Sequence, residues 1–330
     1  MDLFINSYGG RLTQAKKQFR VKTDAGSQRV SAAHVRSICF TQACLVSTDA
    51  IKLAMQHEIP MVVVSRTGKP LGRWWPGRFA GNSAVRRAQF RVAGQAAALG
   101  WMQGELVRKA RAQQRLLDKL ARRKGKRAER LQGPATQIGM LAQGYETPRT
   151  GTLAEQAASL RGLEGNISQT YFQALGSNLP KAYRFPARSR KPALDPFNAT
   201  LNYLYGMLYR QAETALILAG LDPYVPLFHR EQAQRPALCF DFIEAYRPWA
   251  DWVAVQMCLQ KKLGPEATIQ EKGEVRLTDA GRKTLILAFQ AYMEAKVSYR
   301  QQKRRRREVL LDAGRELAGW LLSESEAPTS

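Results

Sequence analysis

The chain has 330 residues, enough for more than one core, and 45% of them are apolar. Its 51 lysines and arginines against 27 acids leave a formal net charge of +24. Such an excess repels itself unless a polyanion neutralises it, which puts nucleic acid ahead of an anionic membrane surface as partner. No run approaches the roughly 20 apolar residues that span a bilayer. The start, Met1-Asp2-Leu3-Phe4-Ile5, lacks the basic and apolar regions of a signal peptide, and no lipidation signal is present. A cytoplasmic location without membrane association is therefore expected. Cys39, Cys44, Cys239 and Cys258 include no CxxC pair, so they read as reduced, mostly buried thiols rather than a zinc site.

In chain order, the first 75 or so residues read as β-rich. A short strand over 3–7 ends at Tyr8-Gly9-Gly10, and alternating patterns cover 18–23 and 29–40. Ser47 looks like the N-cap of a short helix, which leads into the apolar, β-branched run Ile59-Pro60-Met61-Val62-Val63-Val64, a strand buried on both faces. After Trp74-Trp75-Pro76-Gly77 the character turns helical. Residues 84–132 are helix-rich until Pro134 interrupts them, and 144–151 read as a loop. Thr152 with Glu155 forms a capping box. A Pro/Arg-rich loop over 180–192 follows, and Asp195-Pro196 opens a helix that Gly220 ends. Residues 268–277 suit a hairpin turning at Lys272-Gly273, and helix resumes from Thr278 to about Leu321. The pattern predicts an α+β, multidomain protein. Residues 1–75 form a small β-rich domain with a short helix, 76–84 a linker, 85–322 a larger all-α domain and 323–330 a disordered tail.

Positive charge concentrates in two stretches. Residues 108–130 carry eleven lysines and arginines against Asp118 and Glu129, and 300–307 hold six cations in eight residues, including Arg304, Arg305, Arg306 and Arg307. Like charges at i,i+4 repel on a helix, so this density predicts a phosphate partner. No base-reading motif accompanies it, so DNA held by shape and backbone is expected.

The helix from Thr152 has an apolar stripe of Leu153, Ala157, Leu160, Ile167 and Tyr171, and Glu164 fills its gap of seven. A carboxylate there needs a cation, a metal or a proton; a salt bridge to an arginine is the plain alternative. Farther on, His229 follows Val225-Pro226-Leu227-Phe228, and the segment Ala237-Leu238-Cys239-Phe240-Asp241-Phe242-Ile243-Glu244-Ala245-Tyr246-Arg247-Pro248 reads as a helix with Asp241 and Glu244 on one face. A histidine after an apolar segment is more often packing. With two acids on a nearby apolar helix it resembles a metal site, suited to Mg2+ or Mn2+, the imidazole favouring Mn2+. Phosphate-binding loops and the Gly-x-Ser-x-Gly signature are absent.

These residues occur in an ordered set of motifs. Gly162-Leu163-Glu164-Gly165-Asn166 with Tyr171-Phe172 resembles the glutamate motif of the CRISPR-associated adaptation integrases. Arg188-Ser189-Arg190-Lys191-Pro192 and Asp195-Pro196-Phe197-Asn198 through Tyr205 resemble their central segment. Ala219-Gly220-Leu221-Asp222-Pro223 with Leu227-Phe228-His229-Arg230 is similar to the histidine motif, and Phe240-Asp241-Phe242-Ile243-Glu244-Ala245-Tyr246-Arg247-Pro248 to the acidic motif. The resemblance spans nearly the whole chain. It implies a β domain and a catalytic helical domain, with Glu164, His229 and Glu244 as metal ligands and Asp241 as an accessory acid. Arg188, Arg190, Tyr205, Arg230 and the arginines 304–307 are the expected DNA contacts; packing is an equal reading for Tyr205. It further implies a homodimer that works with a small ferredoxin-like partner in a prokaryotic cytoplasm. The activity implied is insertion of short duplex DNA into a CRISPR repeat by 3′-hydroxyl attack on a phosphodiester. A metal-dependent nuclease acting on branched or repair DNA is the alternative enzyme, and a basic DNA-binding scaffold the non-enzymatic one.

Overall fold

The computed structural model describes residues 2–24, 26–35, 37–64, 70–74, 83–122, 129–147, 152–229 and 235–326. The chain divides into two compact units, 1–81 and 82–330.

The first unit is built on two four-stranded sheets. In one, β1 (Asp2–Ile5) and β5 (Ser37–Phe40) pair in parallel, β5 pairs in parallel with β7 (Met61–Val64), and β8 (Pro70–Trp74) closes the edge antiparallel to β7. In the other, β2 (Gly10–Ala15), β3 (Gln18–Thr23) and β4 (Gly26–Ser31) form a meander, and β6 (Cys44–Val46) joins β2 in parallel. The α1 helix (Thr48–Gln56) starts where Ser47 accepts the Ala50 N–H, as its N-cap role requires. One apolar core, including Ile5, Leu12, Phe19, Ile38, Leu53 and Met61, joins both sheets to α1. The sequence pattern does not show β2, which turns directly into β3 at Lys16 and Lys17, or β6, which pairs with β2 across a long stretch of chain.

The second unit is helical. Its elements are α2 (Ser83–Val92), α3 (Ala96–Ala121), α4 (Gln132–Glu146), α5 (Leu153–Asn178), α6 (Pro196–Leu218), α7 (Ala237–Phe242), α8 (Arg247–Leu259), α9 (Asp279–Glu294) and α10 (Arg306–Glu326). The α6 helix is buried around most of its circumference and packs on α7, α8, α9 and α10. Asp195 caps it, with Pro196 at the first position. The complete capping box at Thr152 and Glu155 starts α5. The α3 helix packs along α4, α5 and α8. Between α5 and α6, the chain passes so close to Gly176 that a Cβ there would lie 2.3 Å from the Phe185 carbonyl oxygen.

Five expectations for this unit need correction. Pro134 lies in the first turn of α4, where its missing N–H costs no helical bond, and that helix runs through 144–146. The helix expected over 278–321 is two helices, separated by the hairpin of β11 (Lys296–Tyr299) and β12 (Gln302–Arg305). The tail is helical as far as Glu326. The segment 237–248 is not one helix: α7 ends at Phe242, a 3-10 turn covers Glu244–Tyr246, and α8 begins at Arg247. Pro248 cannot bond back to the Glu244 carbonyl and crowds it, which breaks the helix there. The hairpin of β9 (Thr268–Glu271) and β10 (Glu274–Leu277) turns at Lys272 and Gly273, both at positive φ.

Candidate metal centre

Three helical segments meet around one buried cation. The inward stripe of α3 runs through Met102, Leu106, Lys109, Gln113 and Leu116, so Lys109 is carried into the interior, where it is 5% exposed. Its ammonium Nζ donates to Glu164 Oε1 on α5 and to Glu244 Oε2 on the 3-10 turn, both at 2.6 Å. Glu164 is half-buried, and its stripe is buried from Leu160 onward while Leu153 is exposed. The cation that answers Glu164 is thus a lysine rather than the arginine expected for a plain salt bridge, and it is shared with a second carboxylate.

Glu244 is 2% exposed. Its other oxygen accepts Arg247 Nε at 2.6 Å, and Arg247 also donates to the Tyr209 hydroxyl at 2.8 Å and lies over the Tyr205 and Tyr209 rings. Burial pushes the Glu244 carboxyl up, but Arg247 and Lys109 outweigh it and hold it at about 2. The same two carboxylates raise Lys109 against its desolvation.

His229 and Asp241 form the adjoining half. Asp241 is fully buried and accepts the backbone N–H groups of Leu227 (2.8 Å), Phe228 (3.0 Å) and His229 (3.0 Å). It also contacts His229 Nδ1. A carboxylate only accepts, so Nδ1 carries the hydrogen and Nε2 is left as the ring's donor atom toward any ligand. Burial lowers the His229 pKa, and the Asp241 hydrogen bond and charge, with the Glu244 charge added, more than reverse this. Asp241 and Glu244 therefore face different partners, because the chain bends between them.

The chemistry of this set fits a hard divalent cation. Two carboxylate oxygens already converge on one positive charge, and an imidazole stands beside them. As placed, however, no three His, Cys, Asp or Glu side chains converge on a metal-sized position among the described residues.

The other expected site residues are scattered. Arg188 turns inward to Asn198 Oδ1 (2.7 Å), Asn202 Oδ1 (2.5 Å) and the Ser189 carbonyl, and lies over the Phe172 and Tyr205 rings. Tyr205 is buried and donates at 2.7 Å to Asp251, which also accepts from Tyr171 at 3.1 Å. Burial raises Asp251 to about 6. Arg190 is exposed, and Arg230 lies outside the described residues. Arg304 pairs with Asp312, and Arg305 and Arg307 with Glu294 and Glu308. Arg306 bonds the Tyr292 and Ala295 carbonyls and covers the Tyr292 ring. Arg115, Lys119 and Arg122 line an exposed face of α3. Lys109 and Arg247 were not singled out from sequence. The spacing of Lys109 from Leu106 and Gln113 carries the same signal as Glu164, but it lies within a basic run that masks it.

The family model for CRISPR associated protein Cas1 matches residues 3–291. The chain belongs to the Cas1 family. A CRISPR-associated endonuclease Cas1 of Rhodospirillum rubrum is 30% identical over 267 residues, 79% of this chain and 77% of that relative. Among solved structures, a casposase bound to its integration product superposes with a TM-score of 0.83 at 19% identity, covering 99% of this chain and 92% of that one. A chain from a Cas6-RT-Cas1–Cas2 complex superposes at 0.79 and 21% identity, covering 99% of this chain and 35% of that one. The β-rich unit followed by a helical unit is thus the Cas1 architecture. No described helix is long and apolar enough to cross a membrane.

Proposed function

We propose that this Cas1-family chain is a divalent-metal-dependent DNA integrase and endonuclease of CRISPR adaptation, inserting short duplex DNA into a repeat. The observation that carries the reading is the convergence of Glu164 and Glu244 on one cation position beside the His229 loop. The endonuclease named among the relatives and the integration product held by the similarly folded casposase support it.

Mg2+ or Mn2+ bound by Glu164, Glu244 and His229 would activate the attacking hydroxyl and offset charge on the transferred phosphate. Each protein group has a task toward that end. Glu244, held at about 2, stays ionised at any working pH. Arg247 fixes its far oxygen and, anchored on Tyr209, keeps the carboxylate in one orientation. Asp241 acts through His229: it pins the three-residue loop and sets the ring tautomer. With this alignment a 3′ hydroxyl attacks a phosphodiester, a new P–O bond forms, and the displaced 3′ oxygen takes a proton. Water in place of the hydroxyl gives cleavage. Phosphate contacts fall to exposed cations, Arg190 and the α3 face of Arg115, Lys119 and Arg122. Arg188 and Tyr205 support the site from inside. A second copy, joined through the β-rich unit, and a small ferredoxin-like protein complete the assembly. The Cas1–Cas2 complex among the similar folds supports that last partner. The prokaryotic cytoplasm is the setting.

The test is strand transfer with the full chain, its small partner, a short duplex, a plasmid bearing the repeat, and Mn2+ or Mg2+. The parent joins the duplex to the repeat and Glu164→Ala does not. Equal joining by Glu164→Ala removes the proposed centre; cutting of branched DNA without joining by the parent favours a repair nuclease.

A further inference from the structure

We propose that Lys109 is a built-in occupant of the cation position, and that a divalent ion enters only by displacing its ammonium. This rests on the metal reading above. Lys109 Nζ sits 2.6 Å from one oxygen of each proposed carboxylate ligand, and those oxygens are the ones turned toward the shared position. A divalent ion would bind such oxygens at about 2.0–2.6 Å, in the space the ammonium fills. Two positive charges in that space repel strongly at low dielectric, so the occupancies exclude one another.

The two cations at the centre are not equivalent. Arg247 holds the opposite oxygen of Glu244 and is fixed by the Tyr209 hydroxyl and two aromatic rings. Lys109 is a point charge on a flexible stem, and its polar partners among the described residues are the two carboxylates. It is the group that can leave. With it in place, the charges of Glu164 and Glu244 are balanced by those of Lys109 and Arg247. Metal affinity is then reduced by the fraction of molecules in which Lys109 has moved aside.

Mn2+ binding is measured by calorimetry and electron paramagnetic resonance on the full-length parent, Lys109→Met, Lys109→Gln and Glu164→Gln, each checked by circular dichroism. Both Lys109 variants are expected to bind about tenfold tighter or more, and Glu164→Gln to lose the site. Glu164→Gln losing Mn2+ while the Lys109 variants bind no tighter than the parent overturns the displacement and leaves the metal reading standing. Glu164→Gln binding like the parent overturns both. Should the Lys109 variants fail to fold, the unmutated chain decides. Acylation of Lys109, followed by mass spectrometry, is expected to rise several-fold on adding Mn2+. Unchanged or reduced labelling overturns the proposal.

Discussion

Asp241 and Glu244 are three residues apart, yet they belong to different halves of the centre. Asp241 spends its oxygens on three backbone N–H groups and one ring nitrogen. Glu244 spends its oxygens on two side-chain cations. Backbone donors cannot leave without unfolding the loop, whereas an ammonium on a flexible stem can. The partners, rather than the residue type, separate an anchor from a ligand. A carboxylate bound to peptide N–H groups shapes the site, and one bound to a mobile cation is able to exchange it.

The comparison predicts unequal losses. Glu244→Gln should reduce strand transfer by about 10³-fold, the scale of losing a principal charge-stabilising group, with an unchanged circular dichroism spectrum. Asp241→Asn should cost about 10- to 100-fold, as orienting partners of ligands do, and should speed amide exchange at residues 227–229. If the Asp241 variant loses as much activity with protected amides, Asp241 is itself a ligand and the division fails.

Acid titration separates Glu244 from a third carboxylate, Asp251. Glu244 is lowered to about 2 from 4.5, so its stabilisation is complete above about 4.5 and drains away as pH falls toward 2. Asp251 is raised from 3.8 to about 6 by burial between two tyrosines, so its contribution is complete below 3.8 and is lost as pH rises through 6. Urea midpoints measured across this range should therefore fall less steeply below pH 4.5 in Glu244→Gln than in the parent. An identical acid limb would show that Lys109 and Arg247 do not bind Glu244 as described.

The smallest effect is expected where cations and acids pair without converging. Replacing Arg304, Arg305, Arg306 and Arg307 by Gln should lower stability by about 1–2 kcal/mol, the sum of several partly exposed pairs. It should also leave the salt dependence of DNA binding close to the parent's. A slope smaller by about four would assign all four to phosphates instead.

Much of the fold was legible because its signals are local. The caps at Ser47, Thr152 and Asp195 and the Lys272-Gly273 turn each need only neighbouring residues. The hairpin of β11 and β12 was hidden because Arg300 and Gln301 adopt positive φ without glycine or asparagine to announce it. β6 was hidden because its partner β2 lies more than 30 residues upstream. In the site, Glu164 stood out as an acid on an apolar stripe. Lys109 broke the same rule on α3, but surrounding charge disguised it. Arg304, Arg305 and Arg307 show the converse: their acids arrive from α9 and α10, so a run that reads as unpaired is largely paired in space.

Lys109, Glu164 and Glu244 are separated by 55 and 80 residues, 135 in all, in a chain that is made from its N-terminus. During synthesis the first two emerge long before the third. A nascent chain ending ahead of α7 carries Lys109 and Glu164 but lacks the second carboxylate of the pair. The order of the chain thus sets the order of assembly: the shared position between the two carboxylates cannot close until Glu244 has been made.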